Sequence, residues 1–282
     1  MKKDISIILP SIRPQNLIKF YSSLEKACKK YSFELIIASP YLIPEELLIN
    51  PKVKFLHTYA TTTISFQKAC LLAQGDFVFN TSDDGLLQEN CLDDAYEFFQ
   101  KNCKPIDRIN MIYVEAALDD ETLEIISEEV FKKQTEAMSS KYWFAHAHAD
   151  LACFAGIRPE WKLCIQFFMK LDYFKYLGGF DCLYEFNNHA IHDLSFRAQA
   201  DGSKVYDSEK PAYYGSHLAG IIKDHAPVHY AQLTSDVYKF GNVYREKDAA
   251  FKRIRIDYDN WKNEPDSWER RFPNKLSLTP NY

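Results

Sequence analysis

The seven cysteines include no pair at Cys-x-x-Cys spacing, so a cysteine-built zinc site lacks its usual ligand set. Their number is odd and no secretory leader precedes them. Met1-Lys2-Lys3-Asp4 runs straight into an apolar stretch too short for a leader core. Reduced thiols and a cytoplasmic location are the expectation. No stretch approaches the roughly 20 apolar residues that a membrane-crossing helix needs, so no membrane span is expected. Neither Gly-x-Gly-x-x-Gly nor Gly-x-x-x-x-Gly-Lys-Ser/Thr occurs, which disfavours the usual dinucleotide fold and the P-loop. Positive charge is not in excess: the net charge is −5, and the stretch from Arg245 to Arg271 is mixed in sign. Nucleic acid is therefore not an expected partner. Internal repeats, low-complexity segments and clear linkers are also missing.

What is present is a globular composition, with 46% hydrophobic and 26% charged residues over 282 positions. That length suffices for one large α/β domain with an added helical lobe. Aromatics reach 15%, mostly Tyr and Phe. They supply either a bulky core or faces on which a sugar or base stacks.

The order of elements follows from periodicity. Ile5 to Leu9 is an apolar, β-branched run ended by Pro10 and reads as a buried strand. Pro14 suits the first turn of a helix, and Leu17, Phe20, Tyr21, Leu24 and Ala27 recur at helical spacing. Phe33 to Ala38, Val53 to His57 and Asp76 to Asn80 read as further strands, with a helix over Phe66 to Ala73 stopped by Gly75. Helices are expected over Leu92 to Gln100, Leu171 to Leu177 and Ala190 to Ala200, and strands over Arg108 to Ala116, Ile165 to Lys170 and Lys204 to Tyr206. Asp119 to Ser140 reads as a surface helix with loops. Strand and helix alternate through the first ~100 residues, which points to βαβ units and a mostly parallel sheet with helices on both faces. Ligands of such sheets bind at the carboxyl ends of the strands, where Pro10-Ser11, Ser39-Pro40 and Ser82-Asp83-Asp84 fall.

Two adjacent carboxylates after a buried strand suit a divalent cation. Hard oxygen ligands bind Mg²⁺ or Mn²⁺, the cation bridges to a diphosphate, and it stabilises the departing phosphate as a Lewis acid. The plain alternative for Asp83-Asp84-Gly85 is a turn with a helix cap.

The series Ile5–Pro10, Phe33–Ala38, Phe66–Gln74, Gly75-Asp76-Phe77-Val78-Phe79 and Ser82-Asp83-Asp84 resembles the nucleotide-binding half of family 2 glycosyltransferases. Phe168-Met169-Lys170, Tyr176-Leu177-Gly178-Gly179-Phe180-Asp181 and the block His192 to Gly202 are similar to the acceptor half. The resemblance implies a GT-A fold, Rossmann-like, with a mostly parallel sheet flanked by helices and a C-terminal helical and loop extension. The implied layout is a GT-A domain over 1–215, with nucleotide half 1–100 and acceptor half 101–215, and an extension over 216–282 packed on it. The implied activity is transfer of a sugar from a nucleoside diphosphate sugar to a hydroxyl acceptor (a glycan, a lipid-linked acceptor or another), by inversion. Carried over, Asp84 is a metal contact, Asp83 contacts metal or ribose, and Asp193 is the general base that takes the acceptor's proton. Pro10, Ser11, Arg13, Ser39, Gln67 and Asp181 join Asp83 as the nucleotide- and donor-binding set. His217 is a third metal-side partner. This sequence departs from the family at Ala38-Ser39-Pro40-Tyr41, where a carboxylate often contacts the base; Ser39 and Tyr41 stand there instead.

Each assignment has a structural alternative. Arg197, four residues after Asp193, suits a helical salt bridge with it. Asp181 suits a turn. His225 and His229 are four apart, but Pro227 works against one helical face, and they read as surface or structural residues. His146 and His148 beside Asp150 suggest a zinc pair without a third ligand. A retaining transferase, a sugar nucleotidyltransferase, a transferase acting on modified bases in DNA and a non-catalytic nucleotide-sugar-binding module are the competing functions. Donor sugar, base and acceptor are set by loops and are not legible.

Overall fold

The apolar run after Lys3 becomes β1 (Lys3–Pro10) in a computed structural model whose described residues are 3–115, 154–185, 187–215 and 236–264. A single 3-10 turn over Pro14–Asn16 leads into α1 (Leu17–Ala27). There follow β2 (Phe33–Ser39), α2 (Glu45–Leu48), β3 (Val53–His57), α3 (Thr62–Cys70) and β4 (Gly75–Asn80). The expected helix from Phe66 begins four residues earlier. Thr61 ends the extended backbone, and its hydroxyl accepts from the Ile64 amide at 3.3 Å, capping a first turn of threonines that carries no apolar period.

After β4 come β5 (Gly85–Leu87), α4 (Cys91–Asn102), β6 (Arg108–Asn110) and β7 (Tyr113–Glu115). The expected single strand over Arg108 to Ala116 is thus two. The chain leaves one sheet at Met111-Ile112, where the Met111 amide turns to the Gln166 carbonyl, and joins another. The remaining elements are β8 (Phe167–Lys170), α5 (Leu171–Tyr176), α6 (Asn187–Ala200), β9 (Val205–Asp207), β10 (Tyr213–Gly215), α7 (Val237–Val243) and α8 (Ala249–Lys252).

The main sheet has seven strands in the order β3-β2-β1-β4-β8-β6-β9. β1 pairs in parallel with β2 and β4, β2 with β3, and β6 with β9, while β8 is antiparallel to both its neighbours. The architecture is the expected α/β one: a mostly parallel sheet with helices on both faces. Alternate residues of β1 show the two faces. Ile5, Ile7 and Leu9 meet α1 and α4 in one core, whereas Ile8 joins a second core with Phe66 of α3, Phe174 of α5 and Leu194 of α6. A smaller sheet, β5-β10-β7, follows directly after Asp84.

The C-terminal part that is described, 236–264, packs on α6 and on the loop after α5. The Ile256 amide donates to the Leu177 carbonyl at 3.2 Å, and Arg197 donates to the Ile254 carbonyl at 3.3 Å. Among the described residues no helix is long and apolar enough to cross a membrane, and the six cysteines form no disulfide.

Gly178 and Gly179 are both left-handed, at φ +87° and +69°. A Cβ on Gly178 would overlap the Ile256 carbonyl oxygen. Gly178→Ala is expected to destabilise the fold by about 2 kcal/mol or more, combining backbone strain with that overlap. The urea midpoint of the variant checks this.

Candidate functional site

The parallel strands bring Pro10, Ser39, His57 and Asn80 to one edge of the sheet. The loops beyond them are tied to each other. The Ser11 amide donates to the Ala38 carbonyl at 2.9 Å, Thr58 to Ser39 at 3.0 Å, and Thr81 to Ile8 at 3.2 Å. The Asn80 side chain donates to the Ile165 carbonyl at 3.0 Å and accepts from the Phe167 amide, fixing β8's approach to β4.

Asp83 is the centre of this edge. Its Oδ2 accepts from the Ser11 hydroxyl at 2.7 Å and from the Ile12 and Arg13 amides, each at 2.9 Å. Its Oδ1 pairs with Arg13 Nη1 at 2.5 Å, and its carbonyl accepts from Asn16 at 2.8 Å. Asp83 and Arg13 are both buried. Asp83, expected at metal or ribose, and Ser11 and Arg13, expected at the nucleotide, bond to one another here. The reason is electrostatic. A buried carboxylate needs donors and a counter-charge, and the adjoining loop supplies them.

Asp84 is placed differently. It is half-buried, and its Oδ1 accepts from the Ser82 hydroxyl at 2.6 Å and the Tyr213 hydroxyl at 2.7 Å. Tyr213 reaches it from β10 in the small sheet. The second-strand residues also turn inward: Ser39 Oγ accepts from the Tyr41 amide at 3.1 Å, and both side chains are buried. Pro10 is half-buried at the end of β1.

Gln67, expected at the nucleotide, bonds backbone groups of the glycine loop and the C-terminal segment. It is fully buried in the middle of α3, where it donates to the Gly178 and Tyr258 carbonyls at 3.1 and 2.9 Å and accepts from the Phe180 amide at 2.9 Å. A side-chain amide has one acceptor and two donors, and three backbone groups take them.

Asp193, the expected general base, lies in an ionic network. It is 0% exposed. Its Oδ2 accepts from Arg197 Nε at 2.7 Å, and its Oδ1 from the Tyr244 hydroxyl at 2.8 Å and from Arg253. Arg253 also pairs with Asp181, whose other oxygen accepts from the Leu183 amide at 2.9 Å. Arg197 carries the network on to the Leu177 and Gly179 carbonyls at 2.6 and 2.5 Å. Burial works to raise the Asp193 pKa, but Arg253, Arg197 and the Tyr244 hydrogen bond outweigh it and leave the carboxyl below its usual range. The carboxylate joins α6, the Gly178–Asp181 loop and the C-terminal segment.

His217, His225 and His229, and His146, His148 and Asp150, lie outside the described residues. Among the described residues no group of three His, Cys, Asp or Glu side chains could hold a metal. Sequence reasoning missed Tyr213, Tyr244 and Arg253. Each acts from an element distant in the chain, and Arg253 stands in a mixed-charge stretch that reads as solvated surface.

His189 and His192 lie in the first two turns of α6, both buried. Burial lowers their pKa values to about 4 and, with His189 adding repulsion, to about 3.

No protein-family model matches this chain, and no curated protein matches its sequence. Among solved structures, residues 1–349 of S. aureus TarS are similar, with a TM-score of 0.48 and 15% identity over 98% of this chain and 76% of that one. The same TarS segment in complex with UDP gives a TM-score of 0.48 and 14% identity over the same shares. A likeness this shallow is too slight to argue from; function here rests on the residues themselves.

Two measurements check the buried charges. Asp193→Asn is expected to cost about 3 to 5 kcal/mol of stability at pH 7, because it strands buried guanidinium groups; a carboxylate held only for chemistry would leave the urea midpoint unchanged. The histidines set a pH dependence. Both are neutral in the fold and gain a proton on unfolding below about pH 6.5. Their contribution is complete above that pH and is lost as pH falls to about 4 and then about 3. The melting temperature should therefore fall between pH 7 and pH 4.5, and His192→Gln should flatten that fall.

Proposed function

We propose that the chain transfers a sugar from a nucleoside diphosphate sugar to a hydroxyl acceptor, with inversion, and binds the donor at the carboxyl edge of β1, β2 and β4 in a GT-A arrangement. The observation that carries this reading is the division between the two aspartates. Asp83 is locked inward by Ser11, Ile12 and Arg13, while Asp84 lies half-buried at the same edge, oriented by the Ser82 and Tyr213 hydroxyls.

That donor set fits Mg²⁺ or Mn²⁺. Such ions take one or two carboxylates and fill their remaining positions with water and substrate phosphate, so Asp84 suffices as the protein's anchor, with His217 a further candidate. A cation bound there supplies Lewis acidity to the leaving diphosphate. The protein's own groups do the rest. Tyr213 and Ser82 orient the Asp84 carboxylate, and the Asp83–Arg13 pair holds the β1 loop rigid beneath the donor. Inversion needs one displacement: the acceptor oxygen attacks the anomeric carbon from the face opposite the diphosphate. A retaining transferase would share this edge and be separated by the anomeric configuration of its product. A nucleotidyltransferase would release pyrophosphate.

A thermal-shift series with uridine, guanosine and thymidine diphosphate sugars, with and without Mn²⁺, tests the reading. At least one donor is expected to raise the melting temperature by mass action, more with Mn²⁺ than without. Asp84→Asn should remove the Mn²⁺-dependent part. No shift from any donor would contradict the reading.

A further inference from the structure

The two outer strands of the main sheet are guarded differently. β9 is 3 residues long and ends in Asp207, which Asn110 and Lys162 hold. β3 runs for 5 residues and pairs only with β2. The Leu35 amide donates to the Lys52 carbonyl at 2.8 Å and the Thr58 amide to the Ser39 carbonyl at 3.0 Å. The even-numbered residues of β3 therefore turn their backbone to β2, and Val53, Phe55 and His57 turn theirs outward. The Val53 amide bonds the Asn50 carbonyl at 2.9 Å. Among the described residues nothing accepts from the Phe55 or His57 amide, and nothing donates to the Val53, Phe55 or His57 carbonyl.

Such an edge is commonly blunted by lysines that reach over it. Here both lysines fold back. Lys54 Nζ pairs with the buried Glu34 carboxylate at 2.7 Å and donates to the Leu72 carbonyl at 2.8 Å. Lys52 Nζ lies 4.5 Å from the Phe33 ring centroid and 3.9 Å from Glu25. What stands beside the strand is apolar. Leu48 and Ile49 end α2, which packs on β3 over the face shared with α1; both are exposed, Ile49 at 76%. On the α3 face Leu71 and Leu72 are exposed as well. Neither β9 nor the residues adjoining it in the chain carry a large exposed apolar side chain. Apolar groups gathered at one place on a surface mark an interaction site.

We propose that β3 is a dimer edge: two copies of the chain pair their β3 strands antiparallel about a two-fold axis through Phe55 and continue the sheet from one chain into the other. About that axis each Phe55 exchanges its amide and carbonyl with its own copy, and each His57 amide donates to the other copy's Val53 carbonyl. The strand is thus complementary to itself, as an isologous contact requires. Charge selects this direction. Antiparallel pairing sets Lys54 opposite Leu56 and Lys52 opposite Thr58, whereas parallel pairing would set lysine beside lysine. Along the edge the chain passes from Pro40, whose carbonyl His57 bonds, through exposed Glu45 and Glu46, to Asn50 beside Val53. The two-fold brings Lys52 of one copy to the side where Glu45 and Glu46 of the other stand. Leu48, Ile49, Leu71 and Leu72 close against the second copy on either face. A contact of short strands is small, so association in the micromolar range is expected.

Sedimentation equilibrium of the full chain from about 1 to about 100 µM tests this. The average mass should rise from 32.9 kDa toward twice that value. His57→Pro deletes an outward amide and touches no backbone bond to β2. Ile49→Glu places a carboxylate at an exposed position, facing Glu45 and Glu46 of the other copy. Each should weaken association at least about tenfold and leave the melting temperature of dilute protein unchanged; where His57→Pro lowers that temperature, Ile49→Glu decides. Hydrogen exchange locates the contact. The Phe55 and His57 amides should exchange more slowly in concentrated protein than in dilute, while the Lys54 and Leu56 amides, bonded to β2, stay as they are. A chain that remains a monomer throughout overturns the proposal. So does a dimer that Ile49→Glu leaves intact, a Phe55 amide indifferent to concentration, or growth beyond two copies, which a closed two-fold forbids.

Discussion

Four donors converge on one buried carboxylate, and the carboxyl edge of the sheet takes its shape from them. Asp83 follows β4, while Ser11, Ile12 and Arg13 follow β1, so the contact ties the ends of two central strands. Removing a carboxylate from water is costly unless charge and hydrogen bonds replace its hydration. Here both are supplied by a loop only three residues long. Asp84, the next residue, keeps a half-buried carboxylate, and the small β5-β10-β7 sheet that begins beside it brings the Tyr213 hydroxyl onto that carboxylate.

A second ionic cluster does for α6 and the C-terminal segment what Asp83 does for the ends of β1 and β4. Asp193 and Arg197 on α6, Asp181 after the paired glycines and Arg253 near α8 share charges across three segments. Gln67 adds a neutral clamp between α3, the glycine loop and Tyr258. The C-terminal segment is thereby part of the framework that sets the Gly178–Asp181 loop. Asp83, Asp181 and Asp193 each make ion pairs that join segments distant in the chain.

The fold was legible where periodicity is strong. Strands such as Ile5–Leu9 and Phe33–Ala38 are buried on both faces and read as unbroken apolar runs. The aromatic content resolves largely into core: Phe66 meets Phe167, Phe174 and Phe180, and Phe77 stacks on Phe168 at 4.7 Å. The start of α3 was illegible because a Thr cap and polar first turn carry no apolar signal. The place of Asp83, Asp84 and Asp193 in the chain was readable, but the direction of each carboxylate was not. Direction depends on partners tens of residues away, such as Arg13 for Asp83 and Arg253 for Asp193. A single sequence holds no local trace of those pairings.

The central claim is that the two neighbouring aspartates are divided, Asp83 to the framework and Asp84 to the donor's cation. Anomalous diffraction from crystals grown with Mn²⁺ and a nucleoside diphosphate tests it most directly. The account predicts a manganese peak bound to Asp84 and to diphosphate oxygens, with the Asp83–Arg13 pair intact. A peak at Asp83 with that pair broken, or a diphosphate bound away from this edge, would contradict it.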